Sequence, residues 1–258
     1  MPQQNTVIHN SNNVLVFDEP TADGISRNMV LGPDFKFRQG AMLLDQPDKL
    51  CLEYYRNLFA GVTQARQLKR FLILGLGTGA IPKAIRSVHG EQIDIDLVDI
   101  NPDVFGIAIR HYMLKPQENR CFVIDASQFI LAQLHPYDHI CVDIWDDTGV
   151  PPWMLTEPFW QRILELCASG GTVSVNVPAQ LHHALSHLLT RMNPYVVSLK
   201  GHNAAFILPK DIPFRELSGD RLPEKLLARC LALGVDLSEI WRQSHVLCSS
   251  AKASTVLG

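Results

Sequence analysis

The strongest constraint on the fold is a glycine-rich turn that follows a short apolar run. Residues 71–74 are Phe-Leu-Ile-Leu, and Gly75, Gly77 and Gly79 follow at alternate positions before a helical pattern. This order is typical of a buried parallel strand that turns tightly into a helix. Glycine accepts positive φ angles and lets a ligand approach the main chain, and the helix N-terminus offers free N–H groups. Asp99 ends the next apolar run, where an acidic residue can accept hydrogen bonds from ribose hydroxyls. The pattern therefore predicts a site for a nucleoside-containing cofactor.

Apolar runs alternate with helical patterns from residue 70 onward. The predicted strands are 71–74, 93–98, 121–124, 139–142 and 172–177, and the predicted helices are 80–88, 103–113, 126–134, 157–166 and 181–192. An antiparallel edge hairpin is predicted at 196–199 and 204–208, and one or two helices at 223–242. Repeated strand–helix units predict an α/β fold with a parallel, doubly wound, Rossmann-like sheet. We assign residues 61–258 to this nucleoside-binding domain.

The first 60 residues have a different pattern. A strand is predicted at 13–18, a turn at 20–24, and two strands at 35–39 and 41–44 on either side of Gly40. Residues 51–59 carry apolar side chains at helical spacing. We therefore predict a small antiparallel β-hairpin domain and a linking helix over residues 1–60.

Composition and charge argue against several classes of function. The net charge of the 258 residues is −3 with no basic run, which gives no electrostatic support for a nucleic-acid partner. The N-terminus is polar, and no apolar stretch approaches the ~18 residues that span a bilayer, so no membrane partner is expected. The six cysteines are scattered without a C-x-x-C pair. We interpret them as buried thiols of a cytoplasmic protein, and we predict no metal site.

Two further acidic residues follow predicted strands, Asp125 after the third and Asp143 after the fourth. Because the carboxyl ends of parallel strands meet at one edge of the sheet, we expect Asp99, Asp125 and Asp143 to share that edge with the glycines. The simpler interpretation is that the glycines form turns and the aspartates cap helices. The spacing also satisfies a dinucleotide fingerprint. Asp125 with Ala126 instead favours a sulfonium nucleoside, as in the methyltransferase type of this sheet.

The longest specific pattern begins after residue 136. Residues 137–149 (YDHICVDIWDDTG) combine an apolar strand, an Asp-x-x-Asp pair and a glycine-containing loop, and LTEPFW and ASGGTVSVN follow. On these motifs residues 70–176 resemble the spermidine synthase superfamily, a branch of the AdoMet-dependent methyltransferase fold. Val98-Asp99-Ile-Asn-Pro102 is similar to the acidic ribose motif of that family, and Asp125-Ala126 is similar to its adenine motif.

The resemblance implies a transferase that moves an aminopropyl group from decarboxylated AdoMet to a di- or polyamine. It implies that Asp143 orients and deprotonates the attacking amine, and that Asp146, on the loop that follows, binds the cationic nitrogen of the substrate. It places Tyr54 and Tyr55 on the substrate side and Gln39 beside the cofactor, and it implies a homodimer. The cofactor contacts expected on all grounds are Gln39, Gly75, Gly77, Thr78, Gly79, Asp99, Asp125 and Ala126.

One position departs from the family pattern in the glycine loop. Thr78 stands where spermidine synthases usually have an aspartate that binds the terminal ammonium of decarboxylated AdoMet. This difference favours methyl transfer from intact AdoMet as an alternative. The acidic residues expected to hold the far end of a diamine are not evident near Tyr54-Tyr55-Arg56, so a second alternative is a noncatalytic protein that binds a nucleoside or forms a dimer. Because Thr78 carries no charge, we also predict a relaxed preference between decarboxylated and intact AdoMet.

Overall fold

The N-terminal part of the computed structural model is a four-stranded antiparallel sheet. The structure describes residues 5–11, 14–32, 37–144, 149–190, 195–197, 203–211 and 222–246. The strands β1 (Thr6–Ser11), β2 (Val14–Thr21), β3 (Gly24–Leu31) and β4 (Phe37–Leu43) pair in chain order, and helix α1 (Glu53–Val62) follows. The predicted small β region is confirmed. The two strands predicted around Gly40 are wrong in detail, since β4 runs through Gly40 with an irregular register opposite Met29 and Val30.

The second sheet has the doubly wound arrangement predicted from the strand–helix alternation. Its strands are β5 (Arg70–Leu74), β6 (Asp94–Asp99), β7 (Arg120–Val123), β8 (Tyr137–Val142), β9 (Cys167–Pro178), β10 (Tyr195–Val197), β11 (Asn203–Pro209) and β12 (His245–Val246). The order is β12-β10-β11-β9-β8-β5-β6-β7, parallel from β9 to β7 and antiparallel from β11 to β12. Because β5 lies between β6 and β8, the strand order reverses there, and a ligand is expected beyond the carboxyl end of β5.

Helices cover both faces of this sheet. They are α2 (Ala80–His89), α3 (Pro102–His111), α4 (Ala126–Ala132), α5 (Glu157–Leu166), α6 (His182–Leu189), α7 (Glu224–Ala232) and α8 (Leu237–Gln243). Side chains alternate along β5, so Phe71 packs into a core with α1, α2, α3 and the N-terminal sheet, whereas Leu72 packs into a core with α4, α5 and α6. The continuous apolar run of β5 is thus explained by burial on both faces.

Two predictions about the second half of this sheet need correction. Gly170 and Gly171 were expected before the strand but lie inside β9, because Gly170 N–H donates to the carbonyl of Lys210 and Lys210 N–H donates to that of Gly171. The hairpin β10–β11 is antiparallel as predicted, but β12 pairs with the outer side of β10. Within the described part of the chain, no helix is both long and apolar enough to cross a bilayer.

Five of the six cysteines lie in the described residues, and they are only partly as predicted; Cys248 lies outside the described residues. Cys141, Cys167 and Cys230 are buried and free, in keeping with the prediction of buried thiols. Cys51 is half-buried, and Cys121 is exposed because it lies on β7, the last strand of the sheet.

Candidate active site

A cavity of about 270 Å³ opens at the carboxyl ends of the parallel strands. Its wall consists mostly of apolar side chains, together with the main chain of two glycines, three carboxylates and two side-chain amides. The lining residues are Leu31, Gln39, Gly75, Gly77, Val98, Asp99, Ile100, Asn101, Val104, Ile124, Asp125, Ala126, Asp143, Ile144, Pro151 and Trp153. Seven of the residues predicted for the site are therefore brought together, which are Gln39, Gly75, Gly77, Asp99, Asp125, Ala126 and Asp143.

The glycine loop after β5 forms the floor of this cavity. Gly75 has a φ of 90° and Gly77 a φ of 54°, so both occupy the left-handed region that disfavours side chains. A Cβ at Gly75 would overlap the carbonyl oxygen of Asp143, because the loop passes directly over the end of β8. Hydrogen bonds from Gly75 N–H to Val98 and from Asp143 N–H to Leu74 continue the sheet up to the loop. The main chain of the loop is thus open to a ligand on its cavity side.

Asp99 ends β6 and connects the loop to the neighbouring strand. Its Oδ2 accepts the N–H of Leu76 at 2.9 Å, and its Oδ1 accepts the N–H of Asn101 at 2.9 Å. Burial raises the pKa of Asp99, and these two N–H donors oppose the rise. Each carboxylate oxygen has a second lone-pair direction, so Asp99 can hold the loop and still accept a hydrogen bond from a ligand.

Asp125 follows β7 and caps helix α4. Its Oδ1 accepts the N–H of Ser127 at 2.7 Å, which satisfies a free donor of the first turn. The simpler interpretation of Asp125 as a helix cap is therefore correct for one oxygen. Asp125 and Ala126 also line the cavity, so capping fixes this carboxylate at the edge where a ligand would meet it.

Asp143 follows β8 and is paired with an amide that was missed from the sequence. Its Oδ1 accepts a hydrogen bond of 2.7 Å from Nδ2 of Asn176. Burial raises the pKa of Asp143 to about 6, Asn176 opposes this rise by favouring the ionised form, and the negative charge of Asp99 adds to it. A carboxyl with such a pKa is ionised at neutral pH yet basic enough to accept a proton.

The signal for Asn176 was present in the alternation of β9. Thr172, Ser174 and Asn176 alternate with three valines, so one face of this buried strand is polar. Thr172 donates to the carbonyl of Gly61 at 2.7 Å and Ser174 to that of Leu58 at 2.8 Å. The polar face therefore docks α1 and ends at Asp143.

Four predicted residues are not among the described residues that line the cavity. Thr78 and Gly79 belong to the far side of the glycine loop, and Tyr54 and Tyr55 lie on α1. The hydroxyl of Tyr54 donates to the carbonyl of Gln39 at 3.0 Å, and burial raises the pKa of both tyrosines. Asp146 lies outside the residues that the structure describes.

Trp153 is a further lining residue that was not predicted for the site. It lies in a single 3₁₀ turn (Pro152–Leu155), and its ring is tilted against Phe159 with centroids 4.8 Å apart. Pro151 lines the cavity beside it. Both residues lie several positions beyond Asp143 in sequence, so the sequence alone does not place them at the strand ends.

The charge of the lining is uniformly negative. Asp99, Asp125 and Asp143 contribute carboxylates, and none of the described lining residues is lysine or arginine. Such a wall favours a cationic ligand and disfavours the pyrophosphate of a dinucleotide. The cavity is therefore suited to a sulfonium nucleoside and to an amine.

Part of the chain is similar in sequence to known proteins. No protein-family model matches. The chain is 30% identical over 135 residues to a polyamine aminopropyltransferase of Vibrio vulnificus, a match that covers 51% of this chain and 45% of that protein. It is 30% identical over 158 residues to a polyamine aminopropyltransferase of Neisseria meningitidis, covering 60% of this chain and 59% of that protein. The chain thus spans about half the length of these curated relatives.

The similarity in three dimensions extends over most of the chain. The crystal structure of a probable spermidine synthase from Corynebacterium glutamicum matches with a TM-score of 0.66 at 19% identity, covering 88% of this chain and 93% of that one. In sequence, part of the chain is similar to polyamine aminopropyltransferases. In fold, the chain is similar to spermidine synthase and to AdoMet-dependent methyltransferases, with a small N-terminal β-sheet, which confirms the predicted fold class.

Proposed function

We propose that this spermidine synthase-like chain transfers an aminopropyl group from decarboxylated AdoMet to the amino group of a di- or polyamine. The observation that carries the proposal is Asp143, a carboxylate with a pKa raised to about 6, in a cavity whose described lining contains no cationic side chain. The names of the relatives, polyamine aminopropyltransferases, support the same class of reaction.

In this proposal the strand ends hold the nucleoside part of the donor. Asp99 accepts hydrogen bonds from ribose hydroxyls, and Asp125 accepts one from the adenine amino group. Gly75 and Gly77 bring the main chain close to the donor, and Gln39 approaches it from the N-terminal sheet. The donor supplies an aminopropyl group that its sulfonium activates toward a nucleophile.

Asp143 is the proposed base. An alkyl ammonium has a pKa near 10.4, so freeing its lone pair at pH 7 costs about 4–5 kcal/mol. Asp143 first holds the acceptor ammonium and then accepts its proton, which leaves the nitrogen lone pair free. That lone pair forms the new C–N bond while the C–S bond breaks, and the sulfur keeps the bonding electrons, so that neutral methylthioadenosine leaves.

Methyl transfer from intact AdoMet is the second candidate, favoured by one observation. Thr78 carries no charge, is only 1% exposed and is not among the described residues that line the cavity, so it supplies no carboxylate to select an ammonium tail. The cavity wall itself argues for the decarboxylated form. Intact AdoMet would bring a fourth carboxylate to a lining where Asp99, Asp125 and Asp143 have no described cationic partner.

Calorimetry distinguishes the donors. We expect decarboxylated AdoMet and methylthioadenosine to bind, and intact AdoMet to bind more weakly than the decarboxylated form. Turnover is then measured as methylthioadenosine release with putrescine, cadaverine and spermidine as acceptors. Release of S-adenosylhomocysteine with an amine would favour the methyltransferase. Nucleoside binding without turnover on any amine would favour the noncatalytic alternative.

Two matched variants separate binding from chemistry. Asp143→Asn keeps the shape and removes the proton acceptor, so turnover should fall about 10²–10⁴-fold while methylthioadenosine still binds. Asp99→Asn should weaken methylthioadenosine binding by about 1.5–3 kcal/mol, the range for a hydrogen bond to a charged group. The base assignment fails if Asp143→Asn turns over normally, and the ribose assignment fails if Asp99→Asn binds normally.

The same proposal includes a second contact to the acceptor and a dimer. In it, Asp146 contacts the second nitrogen of the acceptor, and the chain forms a homodimer. Light scattering coupled to gel filtration measures the dimer, and Asp146→Asn should raise KM for the acceptor more than it lowers kcat. A monomer, or an unchanged KM, would contradict the respective part.

A further inference from the structure

The space between α1, β4 and the glycine loop contains a chain of hydroxyl groups. The hydroxyl of Tyr55 lies 3.0 Å from Oγ1 of Thr78 and 3.4 Å from the carbonyl oxygen of Gln39. Tyr54 reaches the same carbonyl at 3.0 Å but is not bonded to Thr78. If Thr78 donates to Tyr55 and Tyr55 donates to Gln39, each of these two hydroxyl protons has an acceptor.

The hydroxyl groups of Tyr55 and Thr78 are buried and closely packed. Thr78 is 1% exposed and Tyr55 is 3% exposed. A Cβ at Gly40 would overlap the Tyr55 hydroxyl and lie 2.5 Å from Cγ2 of Thr78, so β4 can approach the loop only through a glycine. A Cβ at Gly77 would lie 3.2 Å from the Gln39 carbonyl oxygen, which places the loop against β4 as well.

The loop is thereby fixed from two sides. Asp99 holds it from the sheet through the N–H of Leu76, at 2.9 Å, and Tyr55 holds it from α1 through the side chain of Thr78. The residues that face the cavity from these segments are Gln39 and the glycines Gly75 and Gly77. Neither Tyr55 nor Thr78 is among the described residues that line the cavity, so any influence on a ligand must pass through the loop and β4.

We infer that Tyr55 and Thr78 are positioning residues, which hold the glycine loop and Gln39 at the spacing that a bound nucleoside requires. The inference rests on the proposed function for the identity of the ligand, but the hold on the loop can be measured without one. It also changes the meaning of Thr78. The residue is a buried partner of α1, and an aspartate there would have to displace the Tyr55 hydroxyl before it could reach the donor.

The test compares two pairs of nearly isosteric variants. Tyr55→Phe and Thr78→Val each remove the hydroxyl link to the loop. Tyr54→Phe removes the neighbouring hydroxyl, with its bonds to Gln39 and Tyr55, but leaves the Tyr55–Thr78 link, and Thr78→Ser keeps the loop hydroxyl. Amide hydrogen exchange of peptides covering residues 75–79 reports the order of the loop, and calorimetry with methylthioadenosine reports the site. Melting temperatures show whether each variant is folded.

Removing the link should accelerate exchange in the loop and weaken methylthioadenosine binding about 3- to 10-fold, as expected from one lost hydrogen bond. Tyr54→Phe and Thr78→Ser should stay near the unmodified protein in loop exchange. The double variant Tyr55→Phe/Thr78→Val should be no worse than Tyr55→Phe alone, because Tyr55→Phe already removes the bond that Thr78→Val removes.

Two results would overturn the inference: folded Tyr55→Phe and Thr78→Val proteins whose loop exchanges at the unmodified rate, or effects that add in the double variant. If the unmodified protein binds no nucleoside, it is the proposed function that fails. The exchange comparison then still decides whether Tyr55 and Thr78 hold the loop.

Discussion

Replacing Asp143 by asparagine should make the folded protein more stable at the same time as it removes the proposed base. The folded-state pKa of Asp143 is about 6, above its ordinary value of 3.8, so ionisation of this carboxyl opposes folding. The loss of folding free energy caused by this ionisation is small below the ordinary pKa of 3.8 and reaches its full size above the folded-state pKa of about 6. These two values give a penalty of about 3 kcal/mol at pH 8 and about 1 kcal/mol at pH 4.5, which Asp143→Asn removes.

A chain of this size gains about 2–4 °C in melting temperature per kcal/mol. Thermal unfolding followed by circular dichroism should therefore show Asp143→Asn melting roughly 6–12 °C above the unmodified protein at pH 8, with about a third of that gain at pH 4.5. Asp45→Asn, at an exposed carboxylate, is the control and should shift the melting temperature little at either pH. An equal gain at both pH values, or a loss at pH 8, would refute the assignment of a raised pKa to Asp143.

Two further predictions follow from the polar face of β9. A Cβ at Gly61 would overlap the Ser174 hydroxyl, so Gly61→Ala should lower the free energy of unfolding by about 1–3 kcal/mol in a denaturant titration. Adding Ser174→Ala to the same chain should restore most of this loss. Losses that add in the double variant would contradict the close approach of these two residues. The acid limb of kcat/KM should lie near pH 6, rise in Asn176→Leu because the donor that favours ionised Asp143 is lost, and fall in Asp99→Asn because a negative charge is removed. Shifts in the same direction would refute this account.

The fold was readable from the sequence because its signals are local. The apolar run at 71–74 and the glycine loop that follows each specify their own short segment, and the structure has β5 at 70–74 followed by helix α2. The carboxylates Asp99, Asp125 and Asp143 were found for the same reason, since each lies at or within two residues of the end of a strand. Their meeting at one cavity required only the parallel order of those strands.

The parts that were missed depend on contacts between distant segments. Asn176 is 33 residues from Asp143; the alternation of β9 indicates a polar face, but it does not show which distant residue the Asn176 amide contacts. Thr78 is predicted from the sequence as a cofactor contact, and the sequence does not show that its hydroxyl partner is Tyr55 on α1, 23 residues earlier. The sequence predicts Gly40 as a break between two strands, but in the structure the lack of a side chain at Gly40 leaves space for the Tyr55 hydroxyl.

The negatively charged wall of the cavity would bind substrate and product with different strength. In the proposed reaction, a sulfonium donor and an ammonium acceptor both carry positive charge, and Asp99, Asp125 and Asp143 would attract them from solution. Methylthioadenosine leaves without that charge, so the attraction that brought the nucleoside in disappears when the C–S bond breaks. Reaction would thereby weaken the hold on its own product, and added salt should reduce the affinity for the donor while leaving the affinity for methylthioadenosine nearly unchanged.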